Sequence, residues 1–322
     1  MSTAQRDSGH LLLGEHYADE RWELAYFRAN GSMARIGAVG LVNPYCAMRS
    51  LWLATVAALL EREPDALDTR VNLPGIAFDV SLREVLSASI DLGDYPLIAA
   101  LLSPQRHRRE AAFDSATFAP IKQPAPISEY LGSRLTAEIV GRLADSDGRA
   151  AVQSVLDQLE LGPNSAVVLP AQQLPTDTVL AVAEAIEPCY LDDTPRRALY
   201  ADRRIFLRGD ADFGVCNGLV SATGLAVATR AAVSTPQLAT AISEARLDGS
   251  VFFGGFAIQP AEVGYDLDDG WMICVGFRGS AITGAQIGTH RSFGFASTVG
   301  SFSPVELAKT VEKIAQHVVS DS

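Results

Sequence analysis

The second half of the chain alternates between segments with helical period and short apolar runs. Residues 165–170 (SAVVLP) and 249–258 (GSVFFGGFAI) are mostly apolar over the length of a strand, and helical patterns lie between and after them. A strand that is apolar on both faces needs a layer of helices on each side. This alternation therefore predicts a layered α/β domain with a partly parallel sheet.

Local signals in the first part of the chain predict two further elements. Residues 22–41 contain two apolar runs separated by the turn dipeptide Asn30-Gly31, which predicts a strand, a turn and a second strand. Residues 46–63 carry apolar side chains at three-to-four spacing and predict an amphipathic helix. We therefore expect a hairpin followed by a helix.

The last part of the chain has a different sequence pattern, that of paired strands followed by a capped helix. Residues 270–290 predict two antiparallel strands around Arg278-Gly279. A capping box at Ser303 and Glu306, with Pro304 at the first helical position, predicts the start of a C-terminal amphipathic helix.

Composition suggests how the chain is divided. Residues 1–20 are polar and have no period, so we expect a flexible N-terminal arm. Residues 21–322 are expected to form a single α/β domain. Within it, about residues 62–133 are expected to be an insertion or cap, because the prolines of residues 120–126 interrupt its helical patterns.

Charge and motifs exclude several functions. A net charge of −12 argues against nucleic-acid binding. The sequence has no apolar run long enough to span a membrane and no signal peptide, so we expect a cytoplasmic protein. Its cysteines and histidines lack the spacing of metal ligands, and no phosphate-binding glycine motif occurs, so neither a metal nor a cofactor is expected. A serine hydrolase is not supported, because no G-x-S-x-G motif occurs.

Cys216 is the candidate nucleophile. It precedes a long apolar run in residues 208–233, and at a helix N-terminus the unpaired N–H groups stabilise a thiolate. Gly214 and Gly218 would let a substrate approach closely. The alternative is a buried cysteine that only packs. The same two interpretations apply to Cys46, which also precedes a helix but follows what looks like a structural turn. Cys189 and Cys274 are interpreted as packing residues.

Segments in the same chain order resemble those of the β-ketoacyl synthases. They are residues 34–61 (ARIGAVGLVNPYCAMRSLWLATVAALLE), 149–170 (RAAVQSVLDQLELGPNSAVVLP), 209–232 (GDADFGVCNGLVSATGLAVATRAA), 247–260 (LDGSVFFGGFAIQP) and 284–318 (GAQIGTHRSFGFASTVGSFSPVELAKTVEKIAQHV). The resemblance implies a thiolase-like, layered α/β/α fold with a mixed sheet, possibly only one complete half plus an insertion.

The resemblance also implies a function in fatty-acid or polyketide biosynthesis. Cys216 would accept an acyl group from an acyl carrier protein or coenzyme A. A second placement takes residues 291–298 (RSFGFAST) as a glycine-rich loop and puts His290 beside that loop, where it could approach the thiol as a catalytic residue. The substrate-binding residues would be Gly214, Asn217, Gly218, Phe293 and Phe295.

The chain departs from that family because it has no HGTGT-like motif, which makes condensation by this chain alone doubtful. Two alternatives follow. The chain could be a non-catalytic, chain-length-factor-like subunit that pairs with an active synthase, and a homodimer or such a heterodimer is expected in either case. It could also be an unrelated α/β protein with a structural cysteine.

Overall fold

A seven-stranded antiparallel sheet organises the structure. The computed structural model describes residues 22–42, 44–72, 79–87, 90–91, 119–120, 135–136, 139–145, 148–162, 164–168, 218–267, 270–276, 279–297 and 303–321. The predicted arm, residues 1–20, lies outside these residues, and so does much of the predicted insertion at 62–133. The division into an arm, a domain and an insertion stays a prediction.

The first two strands form the predicted hairpin. Strand β1 (Trp22–Phe27) pairs with β2 (Met33–Gly37) in antiparallel register, as expected from the turn dipeptide. Gly31 has a φ of +80°, and the Asn30 side chain accepts a hydrogen bond of 2.9 Å from the Ser32 N–H. The local signal at Asn30-Gly31 was therefore sufficient to predict both strands.

Helices follow the hairpin. A 3-10 turn (Tyr45–Met48) leads directly into α1 (Arg49–Arg62), which confirms the helix predicted there. The next elements in chain order are α2 (Leu82–Leu86), β3 (Ile90–Asp91), β4 (Ala119–Pro120), α3 (Gly148–Gln158), β5 (Ala166–Val168) and β6 (Gly218–Val220). Strands β3 and β4 form one small antiparallel pair, and β5 and β6 form another.

The remaining elements complete the sheet. They are α4 (Ala222–Ser234), α5 (Pro236–Leu247), β7 (Phe252–Phe253), β8 (Phe256–Ala257), a 3-10 turn (Pro260–Val263), β9 (Trp271–Val275), β10 (Ala281–Gln286), β11 (Ser292–Ser297) and α6 (Pro304–Ser320). The sheet order is β2-β1-β11-β10-β9-β8-β7. The two strands predicted in 270–290 and the capped C-terminal helix are confirmed.

The predicted mixed, partly parallel sheet was wrong. Every strand pair in the described part of the chain is antiparallel. Residues 249–258, interpreted as one buried strand, fold instead as the hairpin β7–β8, with Gly254 and Gly255 both at positive φ. The strands are apolar on both faces because helices cover both sides of an antiparallel sheet, so the apolar pattern alone did not require parallel pairing.

Each face of the sheet has its own core. On one face, Trp22, Trp271, Phe293 and Phe295 pack against the apolar stripe of α6. On the other face, α4 and α1 pack on small side chains such as Ala25, Ala281 and Ala296. No helix in the described residues is long and apolar enough to cross a bilayer. A cytoplasmic location stays a prediction.

The buried central helix begins later than predicted. Ser221 is the N-cap of α4, and its hydroxyl accepts a hydrogen bond of 3.1 Å from the Gly224 N–H. The strand β6 comes before that cap, so the helix begins six residues after Cys216. Cys216 itself lies outside the described residues.

Candidate active site

Two thiols and a guanidinium group lie where α1 begins and β9 ends. Cys46 is in the 3-10 turn before α1, and Arg49 follows it by three residues, about one helical turn. Cys274 on β9 donates a hydrogen bond of 3.3 Å from its sulfur to the Cys46 carbonyl oxygen. Cys274 therefore lies against the turn that carries Cys46, and Arg49 follows one turn later; we call these three residues the α1 start site.

Strand alternation explains why Cys274 reaches α1. Successive side chains of β9 point to opposite faces of the sheet, so Ile273 packs in the core beneath α6 and Cys274 in the core on the other side. Gly276, just after β9, permits the close approach: a Cβ there would lie 2.5 Å from the Pro44 carbonyl oxygen. The turn and the strand end are thus held in direct contact.

The two thiols differ in accessibility. Cys274 is only 3% exposed, whereas Cys46 is partly exposed, and neither forms a disulfide. The backbone N–H of Ala47 donates 2.9 Å to the Pro44 carbonyl, and no side chain caps the start of the turn or of α1. Cys46 is therefore the more accessible of these two thiols, in a turn whose start has no side-chain cap.

Arg49 is largely buried although it carries a charge. The residue is 8% exposed, and its guanidinium lies against the backbone of Gly255 in the β7–β8 hairpin. None of its nitrogen atoms is among the buried side-chain atoms of the described residues that lack a hydrogen-bond partner, so the charge is not left unsatisfied inside the core.

A separate cleft of about 160 Å³ lies between α1 and α3. Its walls are mostly alanine and aliphatic side chains, and Arg62 and Gln158 are its large polar groups. Thr55, its lining residue nearest the start of α1, is nine residues after Cys46, about 13 Å along a helix. This cleft contains no thiol, so we base the functional argument on the α1 start site.

Neither a protein-family model nor a curated protein sequence matches the chain. Solved structures do match it. A class C β-lactamase from Rhodobacter sphaeroides has a TM-score of 0.60 at 12% identity, over 98% of this chain and 99% of its own. A penicillin-binding protein homologue from Caulobacter crescentus has a TM-score of 0.59 at 13% identity, over 98% of both chains. A β-lactamase/D-alanine carboxypeptidase from Pseudomonas syringae has a TM-score of 0.58 at 13% identity, over 98% of this chain and 99% of its own.

The chain has the fold of these proteins. The resemblance to β-ketoacyl synthases and the thiolase-like fold were therefore wrong, and with them the function in fatty-acid or polyketide biosynthesis. That resemblance was the only basis for expecting an acyl carrier protein, acyl-coenzyme A or a synthase subunit as a partner. The prediction of these partners was therefore wrong as well. The matched segments shared the order of apolar strands and helices, which many layered α/β folds have in common.

The motif of this fold's best-known enzymes is missing. In class A β-lactamases and penicillin-binding proteins the nucleophilic serine lies in an S-x-x-K motif, with a K-T-G motif elsewhere. Neither motif occurs in this sequence, which has only three lysines. Cys46 and Arg49 have the same spacing, as C-x-x-R. The absence of a G-x-S-x-G motif, used above against a serine hydrolase, does not bear on enzymes that use S-x-x-K.

The residues assigned to a site from sequence do not converge in the described structure. Gly214, Cys216 and Asn217 lie outside the described residues, and Gly218 begins strand β6. His290 is exposed in the turn between β10 and β11.

Phe293 and Phe295 are fully buried in β11, which is a central strand and not a glycine-rich loop. Phe293 packs against Trp271 and Phe295 against Trp22, beneath α6. The catalytic and substrate-binding roles of all these residues stay predictions.

Sequence reasoning missed Arg49 and Gly255, and it interpreted Cys274 as packing alone. One signal was available: an arginine one turn after a cysteine, in the first turn of a helix whose other neighbours are apolar. The described residues contain no group of three side chains that could hold a metal ion. Cys46, Arg49 and Cys274 supply two thiols and a guanidinium group to the α1 start site.

Proposed function

We propose that Cys46 is an acyl acceptor and that the chain reacts with β-lactam compounds to form a thioester at this residue. The observation that carries the proposal is the partly exposed Cys46 thiol in the 3-10 turn that leads into α1, one turn before the largely buried Arg49. The fold, shared with proteins named as β-lactamases and penicillin-binding proteins, supports the choice of compound.

The residues present favour a thiolate nucleophile. A cysteine needs less help from a base than a serine does, because its thiolate is accessible near neutral pH and is intrinsically very nucleophilic. A neighbouring arginine and a helix N-terminus both favour the thiolate form. The arginine cannot accept a proton, so it acts here only through its charge.

The proposed step is a ring opening. The Cys46 sulfur attacks the lactam carbonyl carbon, a C–S bond forms, and the ring C–N bond breaks. The ring nitrogen takes up the proton that the thiol has released to water. Arg49 stabilises the negative charge that develops on the carbonyl oxygen.

The absence of S-x-x-K has a chemical consequence. Without a lysine base at this spacing, water is poorly activated to hydrolyse the thioester. The product should therefore persist, and the chain should behave as a stoichiometric acceptor rather than a rapid hydrolase. Strained lactams are favoured over ordinary amides, because ring strain replaces part of the missing acid–base assistance.

The test is incubation of the full-length protein with a fluorescent penicillin, followed by intact-mass and peptide mass analysis. We expect one adduct with the mass of the intact penicillin, located on Cys46 and released by neutral hydroxylamine as a thioester is. Cys46→Ala should abolish it, while Cys189→Ala and Cys216→Ala should retain it. A wild-type protein that stays unlabelled, or an adduct lost only in Cys216→Ala, would overturn the proposal.

A further inference from the structure

Cys274 is a buried nucleophile that the acyl step does not use. The residue is 3% exposed and belongs to the same apolar cluster as Leu53 and Phe256. Most buried cysteines only pack as small apolar groups. Cys274 differs because its sulfur donates a hydrogen bond of 3.3 Å to the carbonyl oxygen of a second cysteine, Cys46. The two residues are therefore in direct contact, although 228 positions separate them in the sequence.

The two thiols also share one core. The Cys46 side chain packs against the apolar cluster that contains Cys274, so both thiols lie on the same side of the sheet. Cys46 is partly exposed, whereas Cys274 is shielded from solvent. An oxidant dissolved in water therefore reaches Cys46 first. An accessible thiol beside a second thiol that can react with its oxidised form is typical of redox-sensing cysteines.

The backbones of the two segments are held at close range by a second contact. Gly276 is two residues after Cys274, and Pro44 is two residues before Cys46. A Cβ at Gly276 would lie 2.5 Å from the Pro44 carbonyl oxygen. The hydrogen bond to the Cys46 carbonyl places the Cys274 sulfur within about 6 Å of the Cys46 Cα, since two short bonds join that carbon to the oxygen. A disulfide needs such proximity, because its Cα atoms lie less than about 7 Å apart.

We infer that Cys46 and Cys274 are a redox pair, in which a peroxide oxidises Cys46 and Cys274 then closes a reversible disulfide with it. The disulfide would remove the thiol that accepts the acyl group, so acyl transfer would require the reduced protein. This last consequence rests on the proposed function of Cys46. Formation of the disulfide does not, because it needs no acyl compound.

The oxidation proceeds in two steps. The Cys46 sulfur attacks one oxygen of hydrogen peroxide, an S–O bond forms, the O–O bond breaks, and the released hydroxide takes the thiol proton to give water. The Cys274 sulfur then attacks the sulfur of this sulfenic acid, an S–S bond forms, the S–O bond breaks, and hydroxide leaves with the Cys274 proton as a second water. Two thiols thereby give two electrons to one peroxide, and a dithiol such as dithiothreitol reduces the disulfide again.

The test maps the disulfide in the full-length protein. The reduced protein is treated with equimolar hydrogen peroxide, denatured in iodoacetamide and digested with trypsin in the absence of a reductant. Each of the four cysteines lies in its own tryptic peptide, Cys46 in residues 36–49 and Cys274 in residues 247–278. We expect these two peptides to be joined, with a mass two hydrogen atoms below their sum, and to separate after treatment with dithiothreitol.

Variants separate the two roles in the pair. Cys274→Ser keeps a donor to the Cys46 carbonyl but cannot form the disulfide. In this variant the sulfenic acid of Cys46 should accumulate and be trapped by dimedone, whereas the wild-type protein should give little of this adduct. The double variant Cys189→Ala/Cys216→Ala is the matched control, and it should form the same linked peptides as the wild-type protein.

Labelling by penicillin connects the pair to the acyl step. The oxidised wild-type protein should lose labelling at Cys46, and dithiothreitol should restore it. A protein that forms the disulfide but is never labelled when reduced would refute the acyl-acceptor proposal and leave the redox pair intact. The redox pair is overturned if the two peptides are not joined in the wild-type protein, or if Cys46 is joined instead to Cys189 or Cys216.

Discussion

The hydroxyl oxygens of Thr229 on α4 and Thr283 on β10 lie 2.6 Å apart, and both residues are completely buried. Thr283 donates its own proton to the Phe293 carbonyl at 2.9 Å. Thr229 is therefore the donor to Thr283. This short polar chain ties the central helix to the sheet, as does the hydrogen bond of 3.0 Å from the Ser292 hydroxyl to the Ala226 carbonyl.

The direction of these hydrogen bonds predicts unequal effects of two similar substitutions. Thr229→Val removes a donor but leaves the Thr283 bond to Phe293 intact, so we expect a loss of about 1 kcal/mol in the free energy of unfolding. Thr283→Val leaves the Thr229 hydroxyl buried without its acceptor, and we expect a loss of about 2 kcal/mol.

Urea denaturation of both single variants and the double variant measures the difference. The double variant should lose less than the sum of the two, because removing both partners leaves no unpaired hydroxyl. Additive losses, or a larger loss for Thr229→Val, would show that the donor assignment is wrong.

Gly294 sets the distance between β11 and α4. A Cβ at this position would lie 2.1 Å from the Ala222 carbonyl oxygen and 2.8 Å from the Ala226 nitrogen, which are backbone atoms that cannot move aside alone. We expect Gly294→Ala to destabilise the protein by about 3 kcal/mol through overpacking. Gly162→Ala is the matched control, because nothing lies within 4 Å of its Cβ position. A similar denaturation midpoint for both variants would contradict this account.

Four side chains tie the end of α6 to β1. The Tyr26 hydroxyl donates a hydrogen bond to the Asp321 carboxylate, and Arg28 forms an ion pair of 2.9 Å with the same carboxylate. The His317 Nε2 lies 3.2 Å from the Tyr26 oxygen. Burial and the bond to Asp321 raise the pKa of Tyr26 to about 12, and the bond from Tyr26 lowers the pKa of Asp321. Burial lowers the pKa of His317.

These shifts predict a stability that declines at both ends of the pH range. The folded state binds a proton at His317 less readily than the unfolded state, so stability should fall as pH drops below about 6.5, with a further loss below about 4 from Asp321. The folded state holds the Tyr26 proton more tightly, so stability should also fall as pH rises from about 10 to about 12.

Two substitutions test which residue causes the decline in stability at acid pH and which causes the decline at alkaline pH. His317→Gln should flatten the decline between about pH 6.5 and 5, and Tyr26→Phe should flatten the alkaline decline. His290→Gln is the control, since His290 is exposed in the β10–β11 turn. Thermal midpoints measured across pH provide the comparison. An acid limb that is unchanged in His317→Gln but altered in His290→Gln would refute the assignment.

Gly255 should control the α1 start site without touching a ligand itself. Gly255→Ala places a methyl group where the Arg49 guanidinium lies, at a φ of +79°. We expect the guanidinium to be displaced and the labelling of Cys46 by penicillin to slow, although the arginine is still present. Gly249→Ala is the control for backbone strain, because its φ is +81° and its Cβ position is open. It should lose stability but keep the rate of labelling, and intact-mass measurements over time compare the two variants.

The elements that sequence predicted are those specified by neighbouring residues. The turn at Asn30-Gly31 and the capping box of Ser303 and Glu306 are local structures, since their hydrogen bonds close over two or three residues. Strand pairing is not local: Trp22 pairs with Ser297 across nearly the whole described chain. Apolar periodicity identifies a strand but not its partner or direction, so the parallel sheet could not be excluded.

The candidate site was harder to predict for the same reason. A helix-terminal cysteine looks the same at Cys46 and Cys216 in the sequence, and the apparently longer apolar run favoured Cys216. Arginine is nearly always expected on the surface. The β7–β8 hairpin, distant in sequence, covers the first turns of α1 with Gly254 and Gly255 and packs directly on Arg49.

The position of β11 between β1 and β10 has a consequence for synthesis of the protein. Strand β1 emerges from the ribosome early, but its second neighbour, β11, ends at Ser297. Until then, the N-terminal hairpin presents an open edge and an uncovered apolar face, because α6 follows later still. Sheets closed by such distant contacts fold slowly. During that interval the hairpin can pair with other chains, so a chaperone that shields it should raise the yield of folded protein.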